Sequence, residues 1–226
     1  MAGLLSAWQD REMSFADVPD GRQWIGPRGS RPRHRHALAY AAVVLRGGYL
    51  EAGPNGRFQV REGDVLFHAA FEGHADFFGA RTTEIVNLPL PFDPPCAAAS
   101  LTGDELCLSN LRPLGAELGD WPDLLARDLR REPSLPLAGW ALSHGLRPET
   151  LSRGFFRCFG TTPARFRAEL RAHRAWAMLR TGTSLAGVAA ATGFCDQAHF
   201  TRNIVRLTGQ TPAAWRNQFR SRRRPA

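Results

Sequence analysis

Within residues 1–95 the apolar positions come in short runs broken by turn residues. The runs are Ala41 to Leu45, Tyr49-Leu50, Phe58 to Val60, Val65 to Phe67 and Ile85 to Leu88. Gly47-Gly48, Gly53 to Gly56 and Glu62-Gly63-Asp64 separate them. Several strands at close spacing, with turn chemistry between them, predict an antiparallel sheet closed as a barrel or sandwich. Residues 89–96, PLPFDPPC, hold four prolines in eight positions and end that pattern. Beyond them Ala, Leu and Arg recur at helical spacing. The pattern predicts an all-β N-terminal domain followed by an all-α C-terminal domain.

The helical part repeats itself. Leu137-Ala138-Gly139-Trp140-Ala141-Leu142-Ser143-His144-Gly145 recurs, offset by 48, from Leu185 to Gly193. Gly160-Thr161-Thr162-Pro163 recurs, offset by 49, as Gly209-Gln210-Thr211-Pro212. Each copy reads as a helix-turn-helix. A small residue (Ala141, Ala189) allows a neighbouring helix to approach, and a glycine four residues later (Gly145, Gly193) ends the helix. An apolar plug (Leu146, Phe194) follows, and then a second helix. Pro148 suits the first turn of that helix in one copy, and Asp196 its cap in the other.

In the second copy Phe200 and Ile204 face inward, while His199, Arg202, Asn203 and Arg206 form a polar stripe at i, i+3, i+4, i+7. The equivalent first-copy stripe is Thr150, Arg153, Gly154 and Arg157, with Leu151 and Phe155 as core. Arg153 thus matches Arg202, and Arg157 matches Arg206. Such arginines can read guanine in a major groove or clamp phosphates.

Charge sharpens this picture. The net charge is +8, and all 29 basic residues are arginine. Residues 121–226 hold 18 Arg against 6 Asp and Glu, a balance of +12, whereas residues 1–120 carry −4. A basic half joined to a mildly acidic one predicts that the C-terminal half meets a polyanion. The longest apolar run is too short to cross a bilayer, and the N-terminus lacks a secretory signature, so a cytoplasmic protein without membrane partners is expected. The four cysteines (Cys96, Cys107, Cys158, Cys195) read as small buried thiols.

Residues 121–220 resemble the DNA-binding domain of AraC/XylS-type transcription regulators. The resemblance rests on Gly145 to Arg153, Thr192 to Arg202 and Gly209 to Arg216. It implies about seven helices, with two helix-turn-helix units joined by one long helix, Pro163 to Arg180, and recognition helices in successive major-groove faces about one turn (~34 Å) apart. The implied DNA contacts are Glu149, Thr150, Ser152, Arg153 and Arg157 in the first unit, and Gln197, His199, Arg202, Asn203 and Arg206 in the second. Gly154 and Phe156 depart from the family pattern. Gly154 is expected to weaken the first recognition helix by about 1 kcal/mol.

The N-terminal half resembles the cupin-like sensor barrel of the same family. Its motifs are Arg33-His34-Arg35-His36 and Gly63 to His74. His34, His36 and His74 take the three histidine positions of metal-binding cupins and are candidate ligands for a divalent ion; the expected glutamate is replaced by Tyr40 or Ala41. The alternative is that these histidines line a ligand pocket or make strand hydrogen bonds. His68, His144 and His173 have no partners at informative spacing and read as ordinary positions.

The expected protein is therefore a ligand-responsive, sequence-specific transcription regulator, activator or repressor, and not an enzyme. Its domains would be a sensor at 1–95, a linker at 96–120 whose Leu101, Leu106, Leu108, Leu111, Leu114 and Leu118 offer a helix face for dimerisation or pack on the barrel, and a DNA-binding domain at 121–226, with Arg220 to Arg224 as a phosphate-attracting arm. No cofactor is required. Double-stranded DNA and a small-molecule effector are the expected partners, with RNA polymerase and a second copy of the chain as candidates. The competing classes are a cupin-type metal-dependent enzyme or metal sensor with a basic accessory domain, and a generic RNA or polyanion binder.

Overall fold

The computed structural model describes residues 21–90, 98–101, 111–113 and 119–221. The leucines 106, 108, 114 and 118 of the expected dimerisation stripe, Cys96, Cys107 and the arginines 222–224 lie outside them. The boundary between two compact units falls between Leu118 and Gly119.

The N-terminal unit is all β. Its strands are β1 (Gly21–Ile25), β2 (Ser30–Arg35), β3 (Tyr40–Arg46), β4 (Gly48–Gly53), β5 (Gly56–Arg61), β6 (Asp64–His68), β7 (Gly73–Phe78), β8 (Thr83–Pro89), β9 (Ala98–Leu101) and β10 (Leu111–Pro113). They form two sheets, one in the order β1-β8-β3-β6-β9-β10 and one in the order β2-β7-β4-β5. The expected choice of barrel or sandwich thus resolves into two separate sheets. The main core lies between them: Tyr40, Ala42 and Val44 of β3 pack with Tyr49, Phe58, Val60, Leu66, Phe78 and Ile85.

The run Ala41 to Val44 is continuously apolar because β3 is buried on both faces there; Leu45, at its end, is exposed. The alternate residues Ala41 and Val43 join Val65 and Phe67 in a second cluster. At the 62–64 turn the Asp64 carboxylate accepts from the Arg61 N–H at 2.8 Å, fixing the turn by which the chain passes from β5 in one sheet to β6 in the other. Of the strands that escaped the hydrophobic pattern, β2 and β7 show the reason. β2 is almost wholly polar and is interrupted by a register shift between Arg31 and His34, while β7 turns His74 and Asp76 inward. Alternation is visible only where the interior is oily, and here part of it is not.

The C-terminal unit has seven α-helices among the described residues. They are α1 (Trp121–Arg131), α2 (Leu137–Ser143), α3 (Pro148–Phe159), α4 (Pro163–Met178), α5 (Leu185–Ala191), α6 (Gln197–Thr208) and α7 (Pro212–Ser221). A 3-10 turn, Leu179–Thr181, ends α4. Side-chain caps fix four starts: Thr162 accepts from Arg165 N–H, Ser184 from Gly187 N–H, Asp196 from His199 N–H and Thr211 from Ala214 N–H.

Phe155, Phe159 and Phe166 are fully buried; the first two stack at 4.5 Å and both meet Phe166 edge-on at 5.2 and 5.5 Å, joining α3 to α4. Trp176, near the other end of α4, meets Trp215 edge-on at 5.7 Å. No described helix is long and apolar enough to cross a membrane.

Candidate functional site

The two helix-turn-helix copies close their turns with the same hydrogen bonds. Leu146 N–H donates to Ala141 O at 2.9 Å and Phe194 N–H to Ala189 O at 3.0 Å. Gly145 and Gly193 stand at φ 65° and 74°, the left-handed conformation each turn requires. Ala141 and Ala189 are both buried. The duplication seen in the sequence is therefore a duplication of geometry, down to which carbonyl accepts which N–H.

Helices α3 and α6 follow these turns. Glu149, Thr150, Ser152, Arg153 and Arg157 are exposed on α3, and Gln197, Arg202 and Arg206 on α6. Two expected contacts differ. Asn203 is buried, its Nδ2 donating to His199 O at 2.9 Å, so the i+4 member of the α6 stripe turns inward. His199 is half-buried, with Nδ1 3.1 Å from the Cys195 sulfur. Cys195 is exposed and Cys158 half-buried, which corrects the expectation of buried thiols. The His199 N–H, and then the Cys195 thiol, hold the Asp196 carboxyl below its ordinary range.

Gly154 also departs from its expected place. It is half-buried beneath α1, and a Cβ there would lie 2.4 Å from Trp121 Cζ2. The glycine gives up helix propensity to admit an indole ring, so it belongs to the packing face and not to the exposed stripe.

Nor do all the arginines face outward. Arg167 donates to Leu135 O at 3.2 Å, Arg171 to Pro133 O at 2.7 Å and Arg174 to Arg130 O. Three residues of α4 thus satisfy carbonyls at the end of α1 and in the loop after it, groups that would otherwise lack donors. Arg180 lies over the rings of Trp176 and Phe219, at 4.9 and 5.0 Å. Part of the basic excess is scaffold. Composition alone does not separate the two uses.

The interior of the N-terminal unit is a second site. The β2–β7 register sets His34 opposite His74, β4–β7 sets Glu51 opposite Asp76, and β3–β6 sets Tyr40 opposite His68. His34, His36 and His74 converge, one nitrogen of each lying within 4.8 Å of the others. Tyr40 Oη stands 3.1 Å from His74 Nε2. His68 is no ordinary position. It is buried, stacks on Tyr40 at 4.4 Å and places Nε2 3.3 Å from Glu51 Oε2. The signal that could have exposed it is parity: His68 shares the inward face of β6 with Leu66. His144 stacks on Trp140 at 3.7 Å and His173 lies against Trp176 at 5.8 Å, both within the helical unit.

Burial sets the protonation of this interior. It pushes His34 down to about 4, His68 to about 3 and His74 well below its ordinary value, so the imidazoles are neutral. It pushes Glu72 and Asp76 up to about 7, and Glu51 well up, with Asp76 and Glu72 adding repulsion there. His68 and Glu51 therefore meet as neutral groups rather than as an ion pair. Glu51 Oε2, Asp76 Oδ1, His68 Nδ1 and His74 Nδ1 are buried without a hydrogen-bond partner.

Residues 140–218 match a family model described as a helix-turn-helix domain. A transcriptional regulator from Chromobacterium violaceum, described by its AraC-type DNA-binding domain, is 26% identical over 45% of this chain and 91% of its own, with a TM-score of 0.40. The DNA-binding domain of AdpA, solved in complex with a target DNA, is 23% identical over 46% of this chain and 97% of its own, at 0.43. Fatty-acid-bound ToxT from Vibrio cholerae is 8% identical but spans 89% of this chain and 96% of its own, at 0.42. No curated protein sequence matches the chain.

Proposed function

We propose that the chain, whose residues 140–218 match a helix-turn-helix domain model, is a sequence-specific DNA-binding transcription regulator of the AraC type whose N-terminal unit senses a small ligand. The supporting observation is the matched pair of helices α3 and α6, each set by the same turn hydrogen bonds and each with exposed arginines at equivalent places. Glu149, Thr150, Ser152, Arg153 and Arg157 would meet one stretch of major groove. Gln197, His199, Arg202 and Arg206 would meet the next.

In this reading residues 1–95 sense, 96–120 couple the sensor to the reader and 121–226 bind DNA in the cytoplasm, with RNA polymerase and a second copy of the chain as candidate partners. A ligand acts by binding unequally to two arrangements of the protein and shifting their populations. Selection of random duplexes on the full chain tests DNA recognition: an enriched motif supports it, and binding without any enriched motif refutes it. Melting of the intact protein against a ligand panel tests sensing, because a ligand of the native state raises the melting temperature. The competing enzyme reading draws on the three-histidine cluster. Oxygen consumption by metal-loaded protein would support it.

A further inference from the structure

We infer that Cys195 is a positioning residue of the second reader: it fixes which nitrogen of His199 carries the proton, so that His199 meets an amino base, adenine or cytosine, in the major groove. The base assignment rests on the DNA-binding reading above; the proton assignment does not.

The repeat itself singles out Cys195. Gly145 and Leu146 match Gly193 and Phe194 at an offset of 48, whereas the helix caps Arg147 and Asp196 match at 49. Cys195 is the one residue that the first turn lacks. In the first copy Arg147 makes no side-chain cap, and Thr150 stands where His199 does. The inserted thiol touches two side chains of the new turn, Asp196 Oδ2 at 3.4 Å and His199 Nδ1 at 3.1 Å.

Counting protons orders these contacts. The Asp196 carboxyl, held below its ordinary range by the His199 N–H and then by the Cys195 thiol, is ionised at neutral pH and only accepts. The single thiol proton therefore goes to Asp196, and the sulfur keeps lone pairs alone. Its contact with His199 Nδ1 then requires the ring proton on Nδ1. In the neutral ring Nε2 is left as an acceptor. Asp196 Oδ1 also takes the His199 backbone N–H, at 2.6 Å, and Phe194 meets the imidazole edge-on at 5.2 Å, so backbone and ring plane are both held.

His199 is the third residue of α6, in the turn that reaches base edges when a recognition helix enters a major groove. Among the described residues no hydrogen bond occupies its Nε2. In that groove an acceptor finds exocyclic amines, N6 of adenine and N4 of cytosine, while guanine O6 and thymine O4 oppose it lone pair to lone pair. Arg202 and Arg206 of the same helix only donate and suit guanine instead.

Two measurements on the full chain test this. Long-range nitrogen–proton NMR spectra, taken on the alkaline side of the ordinary histidine range of about 6.5, report imidazole tautomers. The His199 signals, assigned by their loss in His199→Ala, should show the proton on Nδ1. Cys195→Ser, which keeps one proton and an acceptor, should hold that form, and Cys195→Ala should release it toward the Nε2–H form. A wild-type ring protonated on Nε2, or the same tautomer in wild type and Cys195→Ala, overturns the relay. Duplex selection then finds the base pair whose preference disappears in His199→Ala. Each pair presents one amine to the major groove, and purine for adenine or 2-pyrimidinone for cytosine deletes it. The deletion should cost wild type and Cys195→Ser about 2- to 10-fold in affinity, the worth of one hydrogen bond, cost Cys195→Ala less and cost His199→Ala nothing. A motif unchanged in His199→Ala, full wild-type affinity for the amine-deleted duplex, or an equal loss in Cys195→Ala overturns the base assignment. If no motif is enriched, the regulator reading fails and takes the base assignment with it, while the spectra still decide the relay.

Discussion

Replacing Gly154 by alanine turns a propensity rule against itself. In an open helix the change stabilises by about 1 kcal/mol, because glycine is the poorer helix former. Here the new methyl would sit 2.4 Å from Trp121 Cζ2 and 2.8 Å from Cη2. The indole must retreat by about 1 Å to restore ordinary contact, and overpacking of this kind costs about 1–3 kcal/mol. The balance is a net loss of about 1 kcal/mol, or about 4 °C in melting temperature for a unit near one hundred residues. Thermal melting of the full chain at 222 nm, where helix dominates the signal, reads the change. Trp121→Ala supplies the control, since with the ring gone Gly154→Ala should stabilise by about 1 kcal/mol. A rise in melting temperature for Gly154→Ala alone would refute the packing argument, as would equal effects in both backgrounds.

Other substitutions separate reader from scaffold. Arg202→Ala should remove discrimination at one base pair, by about 1–3 kcal/mol, with little change in melting; competition binding to single-base operator variants measures it. Arg171→Ala should do the reverse, costing about 1–3 kcal/mol of stability through its lost bond to Pro133 O while leaving the enriched duplex motif unchanged. Asp196→Ala should lower the melting temperature at neutral pH by uncapping α6. Because the folded carboxyl titrates below its unfolded value, that contribution is present above about pH 4 and is lost as pH falls further, so wild type and variant should converge in acid.

The helical unit was legible because its signals are local. Gly145, Gly193, Pro148 and Asp196 each mark a helix end through their own backbone chemistry, and the repeat offset showed that the marks come in pairs. What spacing did not reveal was rotation about the helix axis. A stripe at i+4 admitted Asn203, yet α6 is turned so that its amide bonds back to His199 O. Gly154 was similarly placed on the stripe because the sequence gives no sign of an indole arriving from α1. In the β unit, β3 to β6 and β8 were visible through their apolar residues. β2 and β7 were hidden, because an interior holding four histidines and the carboxyl groups of Glu51, Glu72 and Asp76 breaks the alternation that strand recognition depends on. His34, His36 and His74 could be named from motif spacing. The roles of His68 and Glu51 needed cross-strand register, which no single-strand pattern carries.

Helix α4 also acts as a ruler. Phe166 keys its start into α3, and Trp176 locks its far end against α7, so ten residues set the angular offset between the twin modules. One inserted residue would swing one module about 100° around the other and displace it by about 1.5 Å, leaving both intact. In the proposed reader, base preference could therefore change within either module alone, whereas a change in the length of this spacer would move both modules out of step with the pitch of the double helix.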